Sequence, residues 1–379
     1  MHNTARVAGH GPVLELGLGA VAALSNALLL ARIRSGPART ALWLLLSVFT
    51  TLSVSTAAAE NTGIFVWLPG VDWFRAAGLF WVMVLPFMVI VERLRRPALA
   101  TRPARRTFLK CVAAASVAAP ASAAICGFAI TKRDARVREL VLPFPNLPRD
   151  LHNLRIAQIT DIHLSAFYSR RQLARAVDQA NELRPHVSLV TGDLITSYGD
   201  PLDDAILELS RLSADAGVYG CLGNHEILAE AEDYTTARGA RFGLRFLRQD
   251  RTSLSFGSAH LNLAGVDYQR MGSRYLVDSG KLLRQDEFNL LLSHNPDVFP
   301  VAARQGWDLT LSGHTHGGQI ALEYLSPHVN PARCFTRFTD GVYKAQNQTL
   351  FVSSGLGTVG LPIRLGTEPE IALIRLVRA

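Results

Sequence analysis

Residues 154–164, LRIAQITDIHL, decide the fold, because an apolar run ends there on two polar residues, Asp161 and His163. A short apolar run of this kind predicts a buried strand. The same arrangement returns four times, in VSLVTGD at 187–193, VYGCLGNHE at 218–226, LLLSHN at 290–295 and LTLSGHTHGG at 309–318. Strands of one sheet bring their carboxyl ends to the same edge, where α/β proteins build their sites. We therefore expect the polar residues of the five motifs to converge.

The polar residues of the five motifs are of the types that bind metals. Carboxylate, imidazole and amide oxygen groups suit divalent transition metals, here manganese, iron or zinc. The residues expected to hold a first cation are Asp161, His163, Asp193 and His316, and those expected to hold a second are Asn224, His294, His314 and the shared Asp193. A shared carboxylate keeps two cations roughly 3.5–4 Å apart, a spacing that clamps a phosphoryl group and activates water.

His225 is left over, because its neighbour Asn224 is assigned to a cation. We expect its imidazole to face the substrate, where it can stabilise charge or protonate the leaving oxygen. The reaction indicated is hydrolysis of a phosphate ester or anhydride.

The five motifs, in this order, resemble the calcineurin-like metallophosphoesterase superfamily over roughly residues 150–379. The resemblance implies a four-layer α/β sandwich of two mixed β-sheets flanked by helices, and it places the two metal sites and His225 at the positions given above. Residues 313–319, 352–357 and 362–371 resemble the bacterial membrane-anchored branch more closely. One position departs from the pattern. Thr196 stands where many members carry Asp. The sequence therefore leaves open whether the side chain at this position contacts one of the metal ligands.

Other polar residues have weaker claims to a role. We expect Glu226 to make structural contacts around the ligands. Arg364 could reach a phosphate, but a surface ion pair is an equal alternative. His260 and His328 have no partners in the motifs and are expected to be ordinary residues. The four cysteines indicate no disulfide framework.

Alternating helical and apolar patterns connect the motifs, which indicates an α/β domain. Helices are predicted at 169–184, 202–213, 228–238, 279–284 and 297–305. Further strands, expected to complete the second sheet, are predicted at 252–256, 260–265, 350–354 and 370–377. The stretch 324–339, with two prolines and several aromatic residues, is predicted to be a loop over the site.

The amino-terminal part of the chain is different in character. Four apolar stretches, at 12–31, 41–59, 76–91 and 111–130, approach the 17–25 residues that cross a bilayer. They predict a membrane domain over 1–130 with about four transmembrane helices, then a linker over 131–150 and the phosphoesterase domain over 151–379.

Charge in the loops indicates the orientation. Loops 32–40 and 92–110 are rich in arginine, whereas loop 60–75 is not, so the positive-inside rule puts the amino terminus and the catalytic domain outside the cytoplasm. Residues 105–110, RRTFLK, resemble a twin-arginine export motif, which makes the export machinery a possible partner. The same arginines could simply flank a span and bind anionic lipid. Residues 119–124 could be a signal-peptidase site that releases the domain.

The net charge of +8 does not indicate nucleic acid, because much of the excess lies in those loops. The predicted function is a multi-pass phosphoesterase of a bacterial inner membrane that acts on envelope or lipid-linked phosphates, with membrane lipids as partners. One alternative is a UDP-2,3-diacylglucosamine-type pyrophosphatase of lipid A synthesis, whose substrate is cytoplasmic. An alternative of another class is a non-catalytic membrane accessory or receptor protein. Such a protein would have lost ligands, and none is lost here.

Overall fold

The computed structural model describes residues 103–379 apart from 271 and 324–328, together with isolated residues between 24 and 84. The chain divides into two compact units. One unit comprises Met1–Gly127 with Gly360–Pro362, and the other comprises Phe128–Val359 with Ile363–Ala379. All five motifs lie in the second unit.

The described residues of the second unit form twelve strands. In chain order they are β1 (Arg136–Phe144), β2 (Arg155–Ile159), β3 (Val187–Thr191), β4 (Val218–Cys221), β5 (Leu244–Phe246), β6 (Asp250–Phe256), β7 (Ala259–Gly265), β8 (Phe288–Leu292), β9 (Leu309–Ser312), β10 (Gly341–Ala345), β11 (Gln348–Val352) and β12 (Glu370–Arg378). The helices that the structure describes are α1 (Pro103–Thr131), α2 (Arg170–Glu182), α3 (Leu202–Leu209), α4 (Asn224–Leu228), α5 (Glu232–Arg241) and α6 (Phe299–Gln305). Short 3₁₀ turns connect several of them.

The strands form two six-stranded sheets. The spatial order is β1-β12-β2-β3-β4-β5 in the first sheet and β10-β11-β9-β8-β7-β6 in the second. Strands β2 to β5 are mutually parallel, as are β11, β9, β8 and β7, while β12 runs antiparallel to β2. The predicted arrangement of two mixed sheets is therefore confirmed. The five motifs follow β2, β3, β4, β8 and β9, at the carboxyl ends of the two parallel sets.

Apolar packing between the two sheets explains why they lie face to face as two layers. The inner faces of both sheets form one apolar core that includes Ile156, Leu189, Leu290, Leu311 and Ile374. Burying each side chain of this size stabilises the fold by roughly 1.5–3 kcal/mol. Strands β3 and β8 are buried along their whole length, and their sequences, VSLVT and FNLLL, are accordingly mostly apolar.

Helices cover the outer faces of the sheets. Val177 of α2 and Ile206 of α3 pack in the cluster that contains Val190 of the first sheet. Ala302 of α6 packs with Leu291 of the second sheet. Helix α2 begins at a capping box, in which the Ser169 side chain accepts from the Gln172 N–H and the Gln172 side chain accepts from the Ser169 N–H. The second unit is thus a helix–sheet–sheet–helix sandwich.

Two parts of the predicted chain path differ from the structure. Strand β1 lies within the segment 131–150 that was predicted to be a linker, and it pairs in parallel with β12 along nine residue pairs, from Arg136–Glu370 to Phe144–Arg378. Strand β12 was predicted to complete the second sheet, but it lies in the first sheet between β1 and β2. The apolar pattern of 370–377 identifies a strand but carries no information about which strands will pair with it.

The predicted membrane segments are only partly described. Residues 12–31 and 41–59 lie mostly outside the described residues, residues 76–91 are described only at 76–81 and 84, and residues 111–130 lie within helix α1. Within the described part of the chain, no helix combines the length and apolar character needed to cross a membrane.

Candidate metal centre

Five of the predicted ligands have left-handed backbone conformations. The φ angles are 50° for Asp161, 47° for His163, 54° for Asp193, 75° for His314 and 52° for His316. Residues other than glycine adopt this region at a cost, and such residues cluster at functional sites because the surrounding structure holds them there. The sharp turns after β2, β3 and β9 thereby direct the side chains into one place.

Of the residues predicted for the first cation site, Asp161, His163 and His316 lie together, with Asp193 beside His163. The Nε2 atoms of His163 and His316 lie 3.1 Å apart, and Nε2 of His316 lies 3.4 Å from Oδ1 of Asp161. Burial lowers the pKa of both imidazoles well below the usual value, so both rings are neutral, as metal ligands must be.

Of the residues predicted for the second cation site, Asp193, His294 and His314 lie together, and Asn224 begins helix α4 after β4. Nδ1 of His294 donates to the Thr191 carbonyl oxygen at 2.7 Å, and its Nε2 lies 2.9 Å from Oδ2 of Asp193. Burial alone would lower the pKa of His294, but the neighbouring Asp193 carboxylate outweighs it and raises that pKa to about 10. Burial lowers the pKa of His314 to about 3.

Asp193 connects the two sites. Its Oδ2 lies 2.9 Å from Nε2 of His294 and 3.6 Å from Nε2 of His163. Burial acts to raise the pKa of this carboxyl, but the surrounding imidazoles, above all His294, hold it well below its usual value. Asp193 is therefore an ionised carboxylate that faces ligands of both sites.

The residues present suit two divalent cations. Potential ligand atoms lie within 4.8 Å of one another in three overlapping groups: Asp161, His163 and His316; His163, Asp193 and His225; and Asp193, His294 and His314. Oδ1 of Asn224 and Nδ1 of His316 are buried without a hydrogen-bond partner. Buried polar atoms are normally satisfied, so these atoms indicate a missing partner. Mixed carboxylate, imidazole and amide ligands are those that such cations accept.

His225 lies at the edge of this cluster. Its Nδ1 donates to the Thr196 carbonyl oxygen, which leaves Nε2 directed toward the centre, 4.0 Å from Oδ2 of Asp193. Its ring stands at 90° to that of His163, with centroids 4.7 Å apart. The ring is 13% exposed, so it can meet a substrate that enters from solvent.

Hydrogen bonds behind the ligands fix their positions. Glu226 is fully buried and accepts backbone N–H groups from Asp193 at 3.0 Å, Leu194 at 2.7 Å and Gly223 at 2.7 Å. The Asp161 carboxylate accepts the backbone N–H of His314 at 2.9 Å, so the first and fifth motifs are joined directly.

Thr196, which replaces the Asp of many superfamily members, still contacts a predicted metal ligand. Its hydroxyl lies 3.3 Å from Nδ1 of His163, where it can orient the ring as a carboxylate would. The contact that the sequence left open is therefore present in a neutral form.

Arg364 neither reaches the centre nor forms a surface ion pair. It is fully buried, and its guanidinium donates to the carbonyl oxygens of Ser354 at 2.8 Å and of Gly357 at 2.6 Å, as well as to Gly355 at 3.1 Å. Arg364 thus holds the loop after β11 in place. That loop lies against the first motif, since Gly357 N–H donates to the Asp161 carbonyl oxygen at 2.7 Å.

The described part of the predicted loop over the site contacts the fifth motif. Asn330 Nδ2 donates to the Gly317 carbonyl oxygen at 3.2 Å, and the Thr315 hydroxyl donates to the Thr339 carbonyl oxygen at 2.6 Å. Residues 324–328, which include His328, lie outside the described residues. His260 lies on β7 and pairs with Ser255 through Nδ1 at 3.2 Å, away from the motifs.

Sequence reasoning missed one aromatic neighbour of the centre, Tyr268. Its ring centroid lies 5.4 Å from that of His314 and 6.1 Å from that of His294. The available signal was its position just after a predicted strand, β7, at the same edge as the motifs. No histidine or carboxylate pattern marked it.

Comparison with known proteins identifies relatives of this domain. Residues 154–318 match the family described as calcineurin-like phosphoesterase. A Bos taurus protein named "Transmembrane protein with metallophosphoesterase domain" is 30% identical over 260 residues, which cover 64% of this chain and 57% of the relative. The uncharacterized metallophosphoesterase YkuE of Bacillus subtilis (strain 168) is 28% identical over 233 residues, covering 61% and 81%. The uncharacterized metallophosphoesterase Cj0846 of Campylobacter jejuni is 30% identical over 246 residues, covering 63% of each chain. The chain therefore spans less than two thirds of the Bos taurus and Campylobacter jejuni relatives.

Proposed function

Because residues 154–318 belong to the calcineurin-like phosphoesterase superfamily, we propose that this chain hydrolyses phosphate esters or anhydrides with the aid of two divalent cations. The observation that carries the proposal is the position of Asp193, whose carboxylate faces imidazoles of both sites. When bound, two such cations polarise a phosphoryl group and lower the pKa of water.

The residues of the chain have separate tasks in this reaction. Asp161, His163, His316 and Asp193 hold the first cation, and Asn224, His294, His314 and Asp193 hold the second. His225 faces the substrate and supplies a proton to the leaving oxygen or stabilises its charge. Its Nδ1 bond to the Thr196 carbonyl oxygen keeps Nε2 directed at the reacting group.

The proposal extends to a membrane location and to envelope or lipid-linked phosphates as substrates. Four apolar stretches support it, as does the name of the Bos taurus relative. On helix α1, Phe108 and Ile125 are 65% and 71% exposed, which suits an apolar environment around that helix. Membrane lipids, and export machinery that reads residues 105–110, are partners within this proposal.

The test is activity and metal content of the purified chain against phosphomonoesters, diesters and pyrophosphates. We expect turnover that chelation abolishes and added manganese, iron or zinc restores. Asp193→Ala should lose both cations and all turnover, because it removes the shared ligand. Asp286→Ala, an exposed carboxylate outside the motifs, is the matched control and should behave as the native chain. Normal turnover with two cations in the Asp193 variant would contradict the two-cation proposal.

A further inference from the structure

The segment that follows β7 carries no predicted motif, yet it brings Tyr268 against the second cation site. The hydroxyl of Tyr268 lies 3.5 Å from Nε2 of His314. The rings of His294 and His314 meet edge to face with centroids 5.0 Å apart, and the Tyr268 ring lies against both. The phenol therefore stands beside two of the ligands predicted for the second site.

The contact decides which nitrogen of His314 can bind a cation. Since Nε2 faces the phenol, Nδ1 is the ring nitrogen left for the second site. A neutral imidazole that offers its Nδ1 lone pair carries its proton on Nε2, and that N–H needs an acceptor. The Tyr268 oxygen is in place to accept it. We propose that Tyr268 is a positioning residue that fixes the tautomer and orientation of His314 for the second cation, an inference that rests on the proposed function.

Neighbouring bonds hold Tyr268 where this role requires it. Asn295 of the fourth motif is fully buried, and its Nδ2 donates to the Gln269 carbonyl oxygen at 2.6 Å. The Gln269 side chain donates back to the Asp267 carbonyl oxygen at 2.9 Å and accepts the Leu276 N–H at 3.0 Å. The fourth motif thus contributes twice to the second site: His294 as a ligand, and Asn295 through the loop that carries Tyr268.

The experiment compares cation affinities in Tyr268→Phe and the native chain, by equilibrium dialysis with manganese and by the electron paramagnetic resonance signal of the manganese pair. Phenylalanine keeps the ring and removes only the acceptor. We expect the second cation to bind roughly 10–100-fold more weakly and the first to bind unchanged. Tyr234→Phe is the control, because it too removes one hydrogen-bonded hydroxyl, which in Tyr234 donates to Asp203, and because Tyr234 lies on helix α5 outside the motifs. It should leave both affinities unchanged.

Each remaining outcome has one meaning. If the native chain binds fewer than two cations, the proposed function fails and the inference fails with it. If the native chain binds two and Tyr268→Phe binds both with native affinity, only the inference about Tyr268 is overturned. A raised KM with unchanged cation affinities also overturns it, because that result would make Tyr268 a substrate contact.

Discussion

His294 shows at the scale of one residue how burial and charge compete in this centre. Full burial disfavours its protonated form, but the carboxylate of Asp193 at 2.9 Å favours it more and raises the pKa to about 10. The pKa of Asp161 is raised as well, to about 6, and burial is the main cause. Without cations, His294 and Asp161 therefore carry protons at pH values below their raised pKa values. They must lose these protons before they can bind a cation.

Cation binding should release those protons in a pH-dependent way. At pH 7.5, His294 lies well below its raised pKa and is protonated, so binding should release about one proton. Below pH 6, Asp161 is protonated as well, so the number released should increase as the pH falls through about 6. His314, with a pKa of about 3, contributes nothing in this range. Calorimetric titration in two buffers of different ionisation enthalpy measures the number, and no release at pH 7.5 would contradict the protonated His294.

His225 is predicted to act on the leaving group rather than on the cations. His225→Ala should keep both cations but lose roughly 10²–10⁴ in rate. The loss should be smaller on activated esters, whose leaving groups need no proton. Rates on a series of aryl phosphates of increasing leaving-group pKa, with metal content determined in parallel, check this. An equal loss across the series would exclude the acid role.

At the scale of elements, the loop after β11 shows how closely the backbone approaches the first cation site. Gly355 has φ of 67°, and a Cβ there would lie 2.5 Å from Cβ of Asp161. Arg364 fixes this loop by donating to its carbonyl oxygens, so the loop cannot move aside without breaking buried hydrogen bonds.

Gly355→Ala should therefore displace Asp161 and weaken binding of the first cation. Gly243→Ala is the matched control, since Gly243 has φ of 82° but nothing within 4 Å of the added Cβ. Both variants should lose roughly 1–2 kcal/mol of unfolding free energy from the left-handed backbone. Only Gly355→Ala should lose more than that and bind the first cation more weakly. Equal behaviour of the two variants in thermal unfolding and metal titration would count against the close approach.

The predicted elements also show where sequence patterns stop being informative. Helix 169–184 was predicted from its pattern and is observed as Arg170–Glu182. Helix 228–238 is instead observed as two helices, Asn224–Leu228 and Glu232–Arg241. Strand β1, RVRELVLPF, was missed for two reasons. Its residues do not alternate regularly between buried and exposed positions, and its charged residues are of the kind found in linkers. Its Arg138 is held by Asp340 at 2.9 Å and Glu370 at 3.4 Å, residues far away in sequence.

At the scale of the whole molecule, sidedness is the prediction that the sequence makes most directly. The arginine-rich loops predict that residues 131–379 lie outside the cytoplasm. A reporter that is active only there, fused after Ala379, should give signal in the native chain. Replacing Arg105 and Arg106 by lysine keeps the charge, so it should block export only if the pair is read as a twin-arginine signal.

One control measurement makes the sidedness test decisive. A reporter active only in the cytoplasm, fused at the same position, should give no signal in the native chain. Signal from that fusion would overturn the predicted topology and favour the lipid-precursor pyrophosphatase reading, whose substrate is cytoplasmic.

The sequence by itself determined the strands that carry the motifs and the residues that meet at their ends. Each motif is local, because an apolar run sets the strand and the ligand follows it directly. Parallel pairing within the first sheet therefore brings together Asp161, Asp193 and Asn224, and parallel pairing within the second sheet brings together His294 and His314. Tertiary structure alone decided four things: the packing of the two sheets that brings their two sets of ligands together, the place of β12 in the first sheet, the burial of Arg364 and the contact of Tyr268 with His314. These depend on which distant residues pack together, and side-chain patterning along a chain does not encode the partner of a strand or the neighbour of a ring.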